Sequence, residues 1–409
     1  MVMHMSIKRA ASLACSVLAL VGAMGAFGQT PAATGGKKKT AAILMPQYAD
    51  YFKIVADAAA APLKEQGYEV DILSANNDGV TMIKQIQNCT VKKVDLMYLL
   101  PAGDPGVFHD AVKEAHDAGI KVIVSHNSTG KGSADSIIQD DEFDIGVMGS
   151  AMVGEWIDAN FPNAKAGSVK VLVLENSWIP DMIKRSTGMK IIAQKFLRQV
   201  DMRTASFVTT KSDKKAWYMK DGKKLAVDEP TGGLVLDGQG NAILNPFYNP
   251  KAAIVTYNNR TIMSNIDAQK AMDVVFTANG GKNKDISAII CYSGMAAVGA
   301  SEKFISMKEQ GLIAADLKKV AVFGADNTKE NVDHILQSAD TSKSVLRGVM
   351  TAGDIISTIS TTIGKVAAGE SVPAEQWEQI GYMVSNKDYT GTRVVTYANQ
   401  LPATSLFIK

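Results

Sequence analysis

At 409 residues the chain exceeds one ordinary domain, and its 46% hydrophobic and 21% charged content supports a packed core and excludes wholesale disorder. Its 43 Lys+Arg stand against 41 Asp+Glu; the first 28 residues hold Lys8 and Arg9 and no acid, so the remainder balances at 41 against 41. That balance lacks the basic excess of a nucleic-acid binder, and after residue 28 no uncharged apolar run is long enough to span a membrane.

Lys8 and Arg9 precede an apolar stretch from Ala10 to Phe27, which reads as a secretory signal peptide over residues 1–28. Ala26-Phe27-Gly28 supplies the small-residue cleavage pattern and Ala23-Met24-Gly25 a second; the alternative is an anchor that stays attached. Cys15 lies too deep in the apolar stretch, after Ser12-Leu13-Ala14, for a lipoprotein cut. Residues 29–39 read as a flexible lead-in.

Short apolar runs then alternate with helical periodicity. The pattern predicts a strand over Thr40–Met45 and a helix over Tyr51–Gln66, with Ala56, Ala59, Ala60 and Leu63 on one face and Gly67 as its C-cap. A strand over Glu69–Leu73, a helix over Gly79–Val91, a strand over Val94–Leu100, a helix over Pro105–Ala118 and a strand over Lys121–Ser125 follow. Runs such as Leu96-Met97-Tyr98-Leu99-Leu100 are apolar throughout, as strands buried on both faces are, which argues for a parallel sheet with helices on both sides.

The rhythm restarts with a short strand over Ser136–Gln139, a helix over Phe143–Asn160, a strand over Val169–Leu174 and a helix over Ile179–Arg198. Residues 201–265 break it: Asp221-Gly222, Gly232-Gly233, Asp237-Gly238-Gln239-Gly240 and Asn245-Pro246 are turn signals. Lys224–Val227 and Leu234–Leu236 suggest small hairpins, so this stretch reads as a β-rich insertion. Helices over Asp267–Asn279, Met295–Gln310, Thr328–Gln337 and Gly353–Ala368 then alternate with strands over Ile286–Cys291, Val320–Phe323 and Val345–Met350. Two stacked α/β units account for this most simply.

No P-loop, no Gly-rich dinucleotide turn after the first strand and no Gly-x-Ser-x-Gly elbow occurs, and no catalytic constellation is legible. No cofactor or metal is implied. His109 and His116 read as surface residues of one helix, and no Cys/His cluster has ligand spacing. Export would permit a Cys89–Cys291 disulfide, but two buried free thiols are the favoured reading.

Several segments in order carry a resemblance: Ala42-Ile43-Leu44 leading to Tyr51-Phe52, Leu99-Leu100-Pro101-Ala102-Gly103-Asp104, Gly119-Ile120-Lys121-Val122-Ile123-Val124, Lys184-Arg185-Ser186-Thr187-Gly188-Met189 and Val322-Phe323-Gly324-Ala325-Asp326. Over residues 40 to about 385, outside the insertion, the chain resembles the type I periplasmic solute-binding proteins of sugar ABC transporters. The resemblance implies two doubly wound parallel-sheet lobes joined by a three-strand hinge, with the β-rich insertion in lobe two. Lobe one would be 40–140 plus 353–381 and lobe two 141–351 plus 383–409. The crossovers would fall near Gln139–Asp141, Thr351–Gly353 and Tyr382–Val384.

It also implies a cleft at the strand ends. Gln47, Tyr51 and Phe52 follow the first strand, where the family stacks aromatics on a sugar ring; Phe52 alternatively belongs to the helix core. Leu100 stands where ribose binders carry Asn, and Asp104 either faces the ligand or caps the next helix. His126-Asn127 replaces the family's Asp-Arg, which removes a bidentate charge pair. Arg185 matches a hydroxyl-binding Arg, and Trp178 walls the cleft or packs in the core. Tyr292 and Ser293 stand where the family has Asn-Asp, Asp326 matches its ligand Asp, and Thr351 lies near the hinge where ribose binders carry Gln.

The implied function is that of a periplasmic, monomeric binding component of an ABC importer. It would close by hinge motion over a monosaccharide or cyclic polyol and hand it to an inner-membrane permease. Alternatives are a receptor presenting its ligand to a membrane sensor or chemoreceptor, and a binder of a less polar metabolite. A secreted enzyme using His126 and Asp326 would turn its ligand over, and a transcriptional regulator would need a DNA-binding helix pair where the signal peptide stands.

Overall fold

The computed structural model describes residues 38–176, 180–201, 206–207, 216–220, 223–227, 233–258, 262–281, 283–396 and 407–408. The signal peptide expected at 1–28 and residues 29–37 of the lead-in lie outside them. No helix among the described residues is long and apolar enough to cross a membrane.

The chain opens with β1 (Thr40–Met45), α1 (Asp50–Glu65), β2 (Glu69–Ser74), α2 (Gly79–Lys92), β3 (Leu96–Leu99), α3 (His109–Asp117), β4 (Lys121–His126) and β5 (Ser136–Gln139). The expected helix over Pro105–Ala118 begins as a 3-10 turn, Pro105–Phe108, capped by Asp104. α1 stops where Gly67 turns to φ +79°, and the Tyr68 N–H donates to Leu63 O at 3.0 Å. Alternation divides this sheet's side chains: Ile43, Met45, Tyr98 and Ile123 pack on one face, Leu44, Leu99, Val122 and Val124 on the other.

The second half contains α4 (Glu142–Asn160), β6 (Val169–Glu175) and α5 (Pro180–Gly188). A small antiparallel group of β7 (Val200–Asp201) and β8 (Ser206–Phe207), and a hairpin of β9 (Ala216–Lys220) and β10 (Lys223–Val227), follow. Then come β11 (Ala252–Asn258), α6 (Asn265–Thr277), β12 (Ile286–Cys291), α7 (Gly294–Glu309), β13 (Ala321–Ala325), α8 (Lys329–Gln337) and β14 (Leu346–Ala352). The chain ends through α9 (Ile355–Ala367), β15 (Glu375–Trp377), β16 (Ile380–Ser385), β17 (Thr392–Thr396) and β18 (Phe407–Ile408), which pairs with β7.

The six-stranded sheet has the order β15-β5-β4-β3-β1-β2 and the seven-stranded sheet β11-β6-β12-β13-β14-β16-β17. Renumbered from its own first strand, each sheet carries the doubly wound order 2-1-3-4-5, so two parallel-sheet α/β lobes of one topology are present. β16 and β17 add an antiparallel edge to the second.

Three details differ from the sequence reading. α5 ends at Gly188 instead of continuing to Arg198, because its backbone lies directly on α4: a Cβ on Gly188 would sit 2.3 Å from Phe143 O. The β-rich insertion closes before β11, which belongs to the main sheet; this edge strand carries the apolar run Ala252-Ala253-Ile254-Val255 but is only partly buried. The third passage between the lobes falls at residues 378–379 and not near Tyr382–Val384, because β16 pairs with β14 from Ile380 onward. The other passages are 140–141, between β5 and α4, and 353–354, between β14 and α9.

Candidate functional site

The carboxyl ends of both sheets open onto one cavity of about 370 Å³. From the first lobe, Gln47, Tyr51 and Phe52 after β1 line it with His126 and Asn127 after β4. From the second come Arg185 of α5, Tyr292 and Ser293 after β12, and Asp326 after β13. The positions on the two fourth strands match: His126 and Asp326 both take φ +68°, a left-handed backbone that few non-glycine residues adopt. In each lobe the chain therefore kinks as it leaves the sheet, and a polar side chain turns toward the cavity.

His126 is held on both ring nitrogens, by the Tyr51 hydroxyl at 2.8 Å on Nε2 and by Ser125 Oγ at 2.8 Å on Nδ1. Ser125 in turn meets the Tyr98 hydroxyl at 2.6 Å. Burial, with the Arg185 charge as a second cause, pushes the His126 pKa down to about 3, so the imidazole stays neutral. Burial, reinforced by the fields of Asp326 and Asp140, keeps the Tyr51 hydroxyl protonated.

Arg185 lies over the Tyr292 ring, 4.6 Å from its centre. Its Nε donates to Glu142 Oε2 at 2.5 Å, its Nη2 to Glu142 Oε1 at 2.9 Å and its Nη1 to Tyr292 O at 3.2 Å. Burial works against this guanidinium, but the Glu142 carboxylate more than offsets it and holds the arginine charged. The fork expected to meet the ligand is thus mostly engaged by Glu142, and two N–H groups remain for a guest. Asp326 is half-buried; burial raises its carboxyl above the usual range despite Arg185 and the Gly294 N–H.

A family model described as a periplasmic binding protein domain matches residues 41–216. No curated protein matches the chain. An ABC transporter periplasmic solute binding protein from Actinobacillus succinogenes 130z with bound D-allose is 16% identical; the match covers 86% of this chain and 99% of that one, with TM-score 0.56. A solute binding protein from Bacillus halodurans C-125 with bound myo-inositol is also 16% identical, over 89% of this chain and 96% of that one, with TM-score 0.56. A 5-methylthioribose transporter solute binding protein from Thermotoga lettingae TMO is 14% identical, over 87% and 86% of the two chains, with TM-score 0.54. The fold is that of a type I periplasmic binding protein. The fold that the sequence resemblance implied is borne out.

Measured on this type I binding-protein frame, other singled-out residues fall elsewhere. Asp104 is exposed and not among the residues lining the cavity, although the adjacent Gly103 is; its carboxylate accepts from the Gly106 N–H at 3.0 Å and caps the 3-10 turn. Thr351 is buried beside the second passage, its hydroxyl donating to Gly353 O at 3.1 Å, while its neighbours Met350 and Ala352 line the cavity. Trp178 lies outside the described residues. Ser293 reaches the cavity, but its hydroxyl donates to Met263 O at 2.6 Å and caps α7. Gln47 accepts from the Asn77 amide at 3.2 Å. Cys89 and Cys291 are buried free thiols.

The sequence reading missed the acids of the first passage. Asp140 and Glu142 line the cavity beside Asp181, whose Oδ2 receives the Asn127 amide nitrogen at 2.8 Å and whose Oδ1 receives Lys184 Nζ at 2.9 Å. The signal was the run Asp140-Asp141-Glu142 at an expected crossover; its middle member, Asp141, is the N-cap of α4. Burial, and then the charge of Glu142, pushes the Asp140 carboxyl well above the usual range.

Proposed function

We propose that this protein is the substrate-binding component of an ABC importer, exported by its N-terminal signal peptide and working as a periplasmic monomer. It binds a small hydroxylated compound, a monosaccharide or cyclic polyol, and delivers it unchanged to an inner-membrane permease. The observation that carries this reading is the cavity where both sheets' carboxyl ends meet, at the place where doubly wound folds hold ligands. Its volume is that of a small-molecule site. Tyr51 and Phe52 offer aromatic surface from one lobe, and Arg185 and Asp326 offer donors and acceptors from the other, so a guest favours the closed arrangement.

Thermal denaturation with D-allose, myo-inositol, 5-methylthioribose and a wider set of sugars and polyols tests the reading. A guest at 100 times its dissociation constant should stabilise by about 2.7 kcal/mol. If no hydroxylated compound shifts the melting curve, the reading is wrong.

A further inference from the structure

Among the described residues, six carboxylates line the cavity (Asp140, Glu142, Asp181, Asp267, Asp326 and Asp354), and Arg185 is the one lining Lys or Arg. Most of them are already committed. Glu142 holds Arg185, and Asp181 holds Lys184 and Asn127. Asp267 closes the capping box of α6 with Ser264, and Asp354 caps α9 through the Ser357 N–H. Asp326 has the Gly294 N–H. Asp140 differs: it is 8% exposed, it lies on the cavity wall, and its Oδ1 has no hydrogen-bond partner among the described residues.

We infer that the compound held in this cavity carries a protonated amine, and that Asp140 is the carboxylate that receives it. This rests on the solute-binding reading above and narrows its ligand class. A buried carboxyl oxygen without a partner is costly, and a hydroxyl supplies a hydrogen bond but no charge, whereas an ammonium supplies both and favours the ionised form that burial alone disfavours. A metal ion is a poor alternative: among the described residues no three His, Cys, Asp or Glu side chains gather as a metal set. The remaining wall includes Phe52, Ile145, Met182 and Met350, which suits a C–H framework. An amino sugar or aminocyclitol meets all three features: an ammonium for Asp140, hydroxyls for Asp326 and the free Arg185 N–H groups, and an apolar ring face. Asp140 also lies on the first passage between the lobes, so an ammonium bound there engages the connection about which they would close.

Isothermal titration near neutral pH with matched sets tests this: D-glucosamine, D-galactosamine, D-mannosamine and amino-deoxy inositols, each against its hydroxyl parent and its N-acetyl derivative. At least one amine should bind about tenfold or more tightly than its parent, and N-acetylation should remove the gain. Asp140→Asn, nearly isosteric, should abolish the preference while leaving the ligand-free melting curve close to wild type. Parents that bind as tightly as their amines, or a preference that survives in a folded Asp140→Asn protein, would overturn the inference and leave the solute-binding reading standing. If no member of either set binds, the inference falls, and the wider screen of sugars and polyols decides the solute-binding reading separately. The wild-type comparison decides the matter even if the variant does not fold.

Discussion

At the scale of single residues the site is built on strain and on buried charge. His126 and Asp326 hold left-handed backbones that cost about 1–2 kcal/mol each in a side-chain-bearing residue, and both occupy the cavity wall. Arg185 and Glu142 are buried and mutually satisfied, so Arg185→Ala does more than remove a ligand contact. It leaves Glu142 uncompensated and should lower stability by about 3–5 kcal/mol in urea denaturation, whereas Arg185→Met combined with Glu142→Met should recover most of that loss. Asp326→Ala removes no ion pair; it should keep near wild-type stability and weaken ligand binding by about 1–3 kcal/mol in calorimetry. Asp144, 2% exposed and with an unpartnered Oδ1, is raised to about 7 by burial and then by Asp141. Its folded pKa exceeds its ordinary 3.8, so the folded state keeps the proton longer and this group's contribution falls as pH rises from about 4 to about 7. Asp144→Asn should therefore raise the melting temperature near pH 8 more than near pH 4; an equal gain at both would refute the assignment. His126 acts in the opposite sense, gaining stability with pH between about 3 and 6.5, so each variant must be compared with wild type at every pH.

At the scale of elements, sequence legibility followed burial. Strands such as β1, β3 and β12 are apolar on both faces, and their runs gave their positions within two residues. β15 and β17 are edge or exposed strands whose residues do not separate them from loops, whereas β11 carries the run Ala252–Val255, which the sequence reading absorbed into the insertion. α5 reads as a long helix because periodicity carries no record of what stops it. The stop is tertiary: Gly188 and Gly146 let α5 and α4 touch backbone to backbone, a Cβ on Gly146 lying 2.1 Å from Arg185 O. Gly188→Ala should thus cost about 1–3 kcal/mol and push α5 outward, moving Arg185 and weakening ligand binding as well. A variant with unchanged affinity and melting curve would mean the helices have room to spare. In the site, Arg185 and Asp326 were reached through the family resemblance, Asp326 just after β13 and Arg185 within α5. Glu142 was not, because its partner lies 43 positions away and its local context is a helix start.

At the scale of the whole molecule, both lobes repeat one strand order, and three short passages, at 140–141, 353–354 and 378–379, connect them. Three is odd, and parity has a topological outcome: a path that changes sides an odd number of times finishes opposite its starting side. Thr40 consequently belongs to one sheet and Thr396 to the other. Dyes attached near these two positions would lie on opposite sides of the three passages and outside the cavity, and if a guest closes the lobes, energy transfer between them should change when it is added. The chain's own threading would then make it a ready-made optical reporter.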